Sequence, residues 1–384
     1  MNWQALRIAV VGPLPPPAGG MAGQTQQLVE LLRAEGAEVM LIQTNPPYWP
    51  RALARVRGLR AVPRLIGYVA RLWRAAGTVQ LMHVMANSGW SWHLFAAPAI
   101  WIGRLRRTPV VVNYRGGEAR AFLERSGRWV RPSMRAASVL AVPSGFLEQI
   151  FASFGFATQV VPNIVDLDRF RPDWRDTDSL AMERNGPAAV TQTGDRAFCV
   201  LVTRNLEAIY DIGTALRAFA LVLAEVPGAK LVIAGSGPER DALQALAGQL
   251  GIADAVEFTG RLDRQQMAAR YRHAEVMLNP SRVDNMPNSV LEALASGVPI
   301  VSTNVGGVPH IVANEKTALL VPVGEPRPMA DAIVRLHCDR DLAAKLAKAG
   351  LAEVQRYTWP RVQETLGALY SRLLEQDACR RKVP

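Results

Sequence analysis

One long stretch of this sequence has no acid, and the whole chain has little cysteine. Between Glu38 and Glu118 there is no Asp or Glu, while eleven arginines fall there, at 51, 55, 57, 60, 64, 71, 74, 104, 106, 107 and 115. The other 33 basic residues balance the 33 acids, so the net charge of +11 belongs to the N-terminal half. A one-sided field of this kind implies an anionic partner. The three cysteines, Cys199, Cys338 and Cys379, are widely spaced and form no paired-ligand motif. A zinc site or disulfide frame is therefore not expected, and a reducing compartment is. The opening "MNWQALRIAVVGPLPPP" lacks the basic start, long apolar run and small-residue site of a signal peptide. The most apolar window, "GWSWHLFAAPAIWIG" from Gly89, is too short to span a bilayer and reads as a buried helix.

What is present is an alternation. Short β-branched runs, "LRIAVVGP", "EVMLIQTN", "VQLMHVM", "PVVVNYRG" and "SVLAVPS", are separated by helical patterns in the first half. The second half repeats this with "FCVLVTRN", "KLVIAGSG", "VEFTG", "VMLNPS", "PIVSTN" and "ALLVPV". Strand–helix alternation predicts α/β architecture, with two doubly wound parallel sheets. Domains are expected at 1–165 and 197–355, joined by a polar linker over 166–196, with a C-terminal helix over 356–378. Ligands of such sheets bind at the carboxyl ends of the strands, which predicts a cleft between the domains.

Three stretches have ligand-binding character. Gly19 and Gly20 follow the first strand and open a helix, where backbone N–H groups can approach a phosphate; a plain tight turn reads the same way. "LVIAGSGPERDAL" ends another strand with Gly235 and Gly237, a pattern that packing alone also produces. "SRVDNMPNSVLEALASGVPIVSTNVGGVPHIV", from Ser281, holds Asp284 and Glu292 around the start of a helix. On local physics Ser289 and Glu292 form a capping box and Asp284 is a solvated acid. The same helix start is a place for an anion.

The last stretch resembles the signature of the family-four group of retaining nucleotide-sugar glycosyltransferases, in spacing across its whole length. "GPLPPPAGG", "VPNIVDLDRFRP", "AGSGPERDAL", "VEFTGRL", "ALLVPVGEP" and "YTWPRVQETLGALYSRLL" fall in the same order as in that family. The resemblance covers nearly the entire chain. It implies the GT-B fold, two facing Rossmann-like domains whose last helix crosses back to the first.

Carried over by position, Glu292 is implied to bind the ribose hydroxyls and Asp284 the donor sugar. The loop Asn285, Met286, Pro287, Asn288 and Ser289 is implied to hold sugar and diphosphate through backbone N–H groups. Arg261 stands where the base is read by main-chain contacts, and Gly19 and Gly20 where the first domain faces the diphosphate. The family's Arg and Lys for the leaving diphosphate are Asn205 and Tyr210 here, leaving Arg204 as the nearby cation. Its histidine in the first domain is Arg115, a permanent cation suited to bidentate phosphate binding. Loss of one uncompensated cation would raise the barrier by ~3 kcal/mol. His83, at a strand's carboxyl end, is either an acceptor or donor contact or a satisfied buried histidine.

From Arg57 to Arg74 a helical projection puts Arg57, Arg60, Arg64 and Arg71 on one face. Leu59, Val62, Leu65, Ile66, Val69, Leu72 and Trp73 fall on the other. Such a helix either lies on an anionic membrane or packs its apolar face on the domain's own sheet. Nucleic acid is not expected, because no recognition motif accompanies the charge.

These readings imply a retaining, metal-independent glycosyltransferase without a cofactor, cytoplasmic and peripheral to the inner face of the membrane. It would move a sugar from a nucleotide-diphosphate donor to a lipid-linked or polysaccharide acceptor. The alternatives are a catalytically weak GT-B protein that binds a glycan or partner, and a nucleotide-sugar epimerase.

Overall fold

The computed structural model describes residues 1–16, 20–46, 61–172 and 197–382. Gly19, Arg57 and Arg60 lie outside them, as does most of the expected linker. The chain divides into two compact units, Met1–Ile164 with Trp359–Pro384, and Val165–Thr358. Val165 and Phe170, at the edge of the expected linker, are buried in the core of the second unit.

In the first unit every strand is parallel, and the four inner ones are buried on both faces, so their sequences run largely apolar. The strands are β1 (Arg7–Gly12), β2 (Glu38–Gln43), β3 (Leu81–Ala86), β4 (Val110–Tyr114), β5 (Val139–Val142) and β6 (Gln159–Val160), in spatial order β2-β1-β3-β4-β5-β6. Only the two-residue β6 gave no signal in the sequence. Helices α2 (Ala61–Ala76), α3 (Ala97–Leu105), α4 (Ala119–Ala136) and α5 (Gly145–Ser153) share one core, which includes Tyr68, Leu72, Ile100, Phe122, Val130 and Phe151. Helix α1 (Gly20–Ala34) and the C-terminal helix, Trp359–Lys382, share the other. Val362, Leu366, Leu369, Tyr370 and Leu373 of that last helix pack with Leu6, Ile8, Val10 and Leu28.

The second unit holds β7 (Cys199–Val202), β8 (Lys230–Ala234), β9 (Val256–Gly260), β10 (Val276–Asn279), β11 (Ile300–Thr303) and β12 (Leu319–Val321). They form a second all-parallel sheet in the order β12-β11-β10-β7-β8-β9. Its helices are α6 (Ile212–Glu225), α7 (Arg240–Gln249), α8 (Arg264–His273), α9 (Asn288–Ala295), α10 (Pro326–Cys338) and α11 (Arg340–Glu353), which makes Trp359–Lys382 α12. The strand order reverses between β7 and β10. The crevice beyond the carboxyl ends of those two strands is where an open α/β sheet takes a ligand.

Candidate functional site

At that reversal Arg204 follows β7, Asn279 ends β10 and Asp284 follows it. The Arg204 guanidinium donates Nε–H to Asn279 Oδ1 at 3.0 Å, forms an ion pair with Asp284 and lies 5.1 Å from the Tyr210 ring centroid. Both members of the ion pair are only 10% exposed. Gly235 makes the approach of β8 to this segment possible, since a Cβ there would sit 1.9 Å from the Arg204 carbonyl oxygen. The loop from Asp284 is fixed from the other side. Gly307 N–H donates to the Asp284 carbonyl at 2.9 Å, and a Cβ on Gly307 would lie 1.6 Å from Asn285 O.

Helix α9 starts after Pro287, and no side chain caps it. The expected capping box is absent, because Ser289 lies one residue inside the helix with its hydroxyl buried. Glu292 turns instead to Tyr271 of α8. The Tyr271 hydroxyl is 3.2 Å from Glu292 Oε2, 3.0 Å from the Ser289 carbonyl and 2.7 Å from Thr203 Oγ1. Burial pushes the Glu292 carboxyl up to about 7, against the opposing effects of the Tyr271 hydrogen bond and of Arg204. Burial likewise raises Tyr271, so it stays protonated and a donor.

A second cation stands at the edge of this cluster. Arg282 donates Nε–H to Asp211 Oδ2 at 2.8 Å, and its backbone N–H donates to Ile209 O at 2.8 Å. Arg282, Asp211, Tyr271 and Asn279 were not singled out in the sequence. They come from a strand end, a loop, a helix start and a helix, and only the folded arrangement brings them to the switch point.

In the first unit Arg115 follows β4. Its Nε–H donates to Asn113 Oδ1 at 3.0 Å and its Nη1 to Asn163 Oδ1. Burial alone pulls the guanidinium down to about 10, so no carboxylate offsets its desolvation. His83 is fully buried in β3. Its Nδ1 is 2.7 Å from the Tyr370 hydroxyl and its Nε2 is 3.1 Å from Asn113 Nδ2. The adjoining cavity is about 10 Å³, room for no more than a water molecule. His83 is thus enclosed and hydrogen-bonded within the first unit, the arrangement of a satisfied buried histidine. Burial first, and Arg115 second, bring its pKa down to about 3, so the ring is neutral.

Two family profiles match the chain: "Glycosyl transferases group 1" over residues 189–352 and "Glycosyltransferase Family 4" over residues 18–169. A GDP-mannose-dependent alpha-(1-6)-phosphatidylinositol monomannoside mannosyltransferase of Mycolicibacterium smegmatis is 31% identical over 281 residues, 67% of this chain and 70% of that protein. The protein of the same description from Mycobacterium tuberculosis H37Rv is 29% identical over 96% of this chain and 98% of its own length. The chain belongs to the group 1, family 4 glycosyltransferases. Sucrose-phosphate synthase from Thermosynechococcus elongatus superposes with a TM-score of 0.74 at 22% identity, over 97% of this chain and 100% of that one, which shows the GT-B fold. The chain is a glycosyltransferase of the nucleotide-sugar-using kind.

Of the residues this family resemblance pointed to, Arg204, Tyr210, Asp284 and Glu292 converge on the β7–β10 switch point. Met286 packs its side chain into the core of the second unit, and Pro287 beside it is buried. Asn205 donates to Glu207 Oε1 at 3.1 Å. Arg261 is exposed at the end of β9 and donates Nε–H to Ser236 Oγ at 2.8 Å. Gly20 is the first residue of α1.

The arginine helix differs from its expected arrangement. Arg64 is half-buried and donates to the Thr44 carbonyl at 3.0 Å, which leaves Arg71 as the exposed member of the proposed basic face among the described residues. The apolar face is split. Tyr68 and Leu72 are buried, while Val62, Ile66, Val69 and Trp73 are exposed. The reason is the angle of contact: the buried side of α2 is centred on Tyr68, Leu72 and Ala75, roughly 140° around the helix from the Ile66–Trp73 stripe.

Proposed function

We propose that the second unit binds the nucleotide-diphosphate sugar and that the enzyme transfers it with retention of configuration and without a metal. The observation that carries this reading is the buried set of Arg204, Asp284 and Glu292 at the switch point, in the stretch the family profile matches. Glu292 accepts hydrogen bonds from the ribose hydroxyls, the start of α9 receives the diphosphate, and Arg204 stabilises the charge that grows on it as the glycosidic bond breaks. Asp284 holds Arg204 and meets the donor sugar. Arg115 offers a fixed cation to a phosphate of the substrates. In the retaining reaction the acceptor hydroxyl attacks on the face the phosphate leaves, and the departing phosphate takes its proton.

The acceptor is a lipid-linked or growing cell-envelope glycan, reached at the inner face of the membrane. Because two relatives carry GDP-mannose in their names, GDP-mannose heads the donors to test. Thermal unfolding with GDP-, UDP- and dTDP-sugars should single out one donor, at a hundred times its Kd stabilising the fold by about 2.7 kcal/mol. That donor should then support transfer or slow hydrolysis. Tight nucleotide binding with no turnover of any donor would favour a binding protein instead. Release of an altered free sugar without acceptor would favour an epimerase.

A further inference from the structure

Among the described residues eleven large hydrophobic side chains are exposed, and eight belong to residues 62–129: Val62, Ile66, Val69 and Trp73, then Trp90, Trp101, Leu105 and Trp129. Leu105 is 71% and Trp129 69% exposed. Helices α2, α3 and α4 pack side by side in one layer on one face of the first sheet, α3 against both others. Trp101 and Leu105 are one helical turn apart on the outside of α3, and Arg125, Arg128 and Trp129 share the outside of α4. Arg106, just after α3, stacks 4.9 Å from the Trp73 ring of α2, and Arg128 lies 5.0 Å from Trp129. Exposed Arg71, Arg74, Arg104 and Arg107 complete the set.

We propose that the outer surface of α2, α3 and α4 is an insertion face for an anionic lipid surface. Trp73, Trp101, Leu105 and Trp129 enter the interface, and the neighbouring arginines meet lipid phosphates. Tryptophan and arginine side by side suit the level of lipid headgroups, where an apolar ring meets water and phosphate. A second copy of the chain would bring the same positive charge against itself. A nucleic acid would gain nothing from burying Ile66 or Leu105. No described helix is long and apolar enough to cross a bilayer, so the contact is superficial. The inference deepens the preceding reading by naming the surface at which a lipid-linked acceptor is met. It also differs from attraction by an arginine face alone, because an inserted aromatic layer leaves a part of binding that salt does not remove.

The test is flotation of the full chain with vesicles of phosphatidylcholine alone or mixed with phosphatidylglycerol, at low and high salt. Tryptophan quenching by brominated acyl chains is measured in parallel. Binding is expected on the mixed vesicles, with quenching and a salt-resistant remainder. The double variant Trp101→Ser, Leu105→Ser should bind at least about tenfold more weakly at every salt concentration. The triple variant Arg104→Gln, Arg106→Gln, Arg107→Gln should lose chiefly the salt-sensitive part. Nucleotide-dependent thermal shift, read on both variants, confirms that they fold. The proposal is overturned if wild type ignores the vesicles, if the Ser variant binds like wild type, or if high salt abolishes binding without quenching. It is equally overturned if the same side chains prove to hold a dimer or a nucleic acid instead. Donor turnover without vesicle binding sinks this inference alone, and vesicle binding without turnover sinks the catalytic reading alone.

Discussion

In the second unit Arg204 is nearly buried and leans on Asp284, while burial beside Tyr271 raises the Glu292 carboxyl to about 7. In the first unit Arg115 is held by two amide oxygens, and burial lowers its affinity for protons with no acid to offset it. The two buried guanidinium groups thus differ in what they lack. Arg204 is neutralised and aimed, so a diphosphate bound as proposed would share it with Asp284. Arg115 is pre-positioned and short of negative charge, which an anionic ligand supplies. A cation's use is read from its partners as much as from its position, and neither set of partners is adjacent to it in sequence.

Replacing each arginine by methionine sharpens the contrast most. Arg204→Met leaves Asp284 as an unpaired, nearly buried carboxylate, which should cost about 3–5 kcal/mol of stability. It should also slow transfer roughly a hundred- to thousandfold, the effect of removing one preorganised charge from a transition state. Arg115→Met removes a charge that burial already opposes and leaves two amide oxygens without a donor, so stability should fall by at most about 1 kcal/mol. Denaturant unfolding and donor turnover on both proteins measure this. Equal losses of stability in the two variants would erase the distinction.

Glu292 makes the next test, by pH. Its folded-state pKa of about 7 lies above the ordinary glutamate value, so the folded protein holds a proton that the unfolded chain gives up. Stability from this residue is therefore intact below the unfolded value and declines as pH rises toward 7, by at most about 3 kcal/mol. Glu292→Gln should remove that decline and leave the protein more stable than wild type above neutrality, with no difference near pH 4. Nucleotide binding should strengthen through pH 7 in wild type, where the carboxylate becomes the better acceptor for ribose, and stay flat in the variant. Calorimetric unfolding and nucleotide titration across pH read both. A wild-type profile flat through pH 7 would remove the buried acid from the ribose site.

Strands and their parallel pairing were legible because buried strands are written as β-branched runs, and eleven of the twelve have one. Asp284 and Glu292 were singled out by the resemblance of one loop and helix to the family's pattern, where local physics read a solvated acid and a helix cap. The sequence misassigned or left open what depends on angles and on partners distant in the chain. A capping box needs Ser289 at the first uncoiled position, but Pro287 takes it and the helix begins two residues early. His83 was left open between a ligand contact and a buried histidine, because its partner Tyr370 is 287 residues away. The arginines of α2 looked alike in projection, yet Arg64 turns toward Thr44 while Arg71 remains exposed.

The His83 contact gives the smallest and most local prediction, confined to the first unit. Arg115 Nε–H is given to Asn113 Oδ1, so the Asn113 amide nitrogen faces His83 Nε2 and donates to it. A neutral ring then carries its one proton on Nδ1 and donates it to the Tyr370 hydroxyl oxygen. Tyr370→Phe keeps the ring in the core but leaves that buried N–H without an acceptor, which should cost about 1–2 kcal/mol. Nucleotide-induced stabilisation, which belongs to the second unit, should be unchanged. If Tyr370→Phe weakened nucleotide binding as strongly as it lowered stability, the line from Arg115 through Asn113 and His83 to α12 would be part of the ligand response rather than of the scaffold.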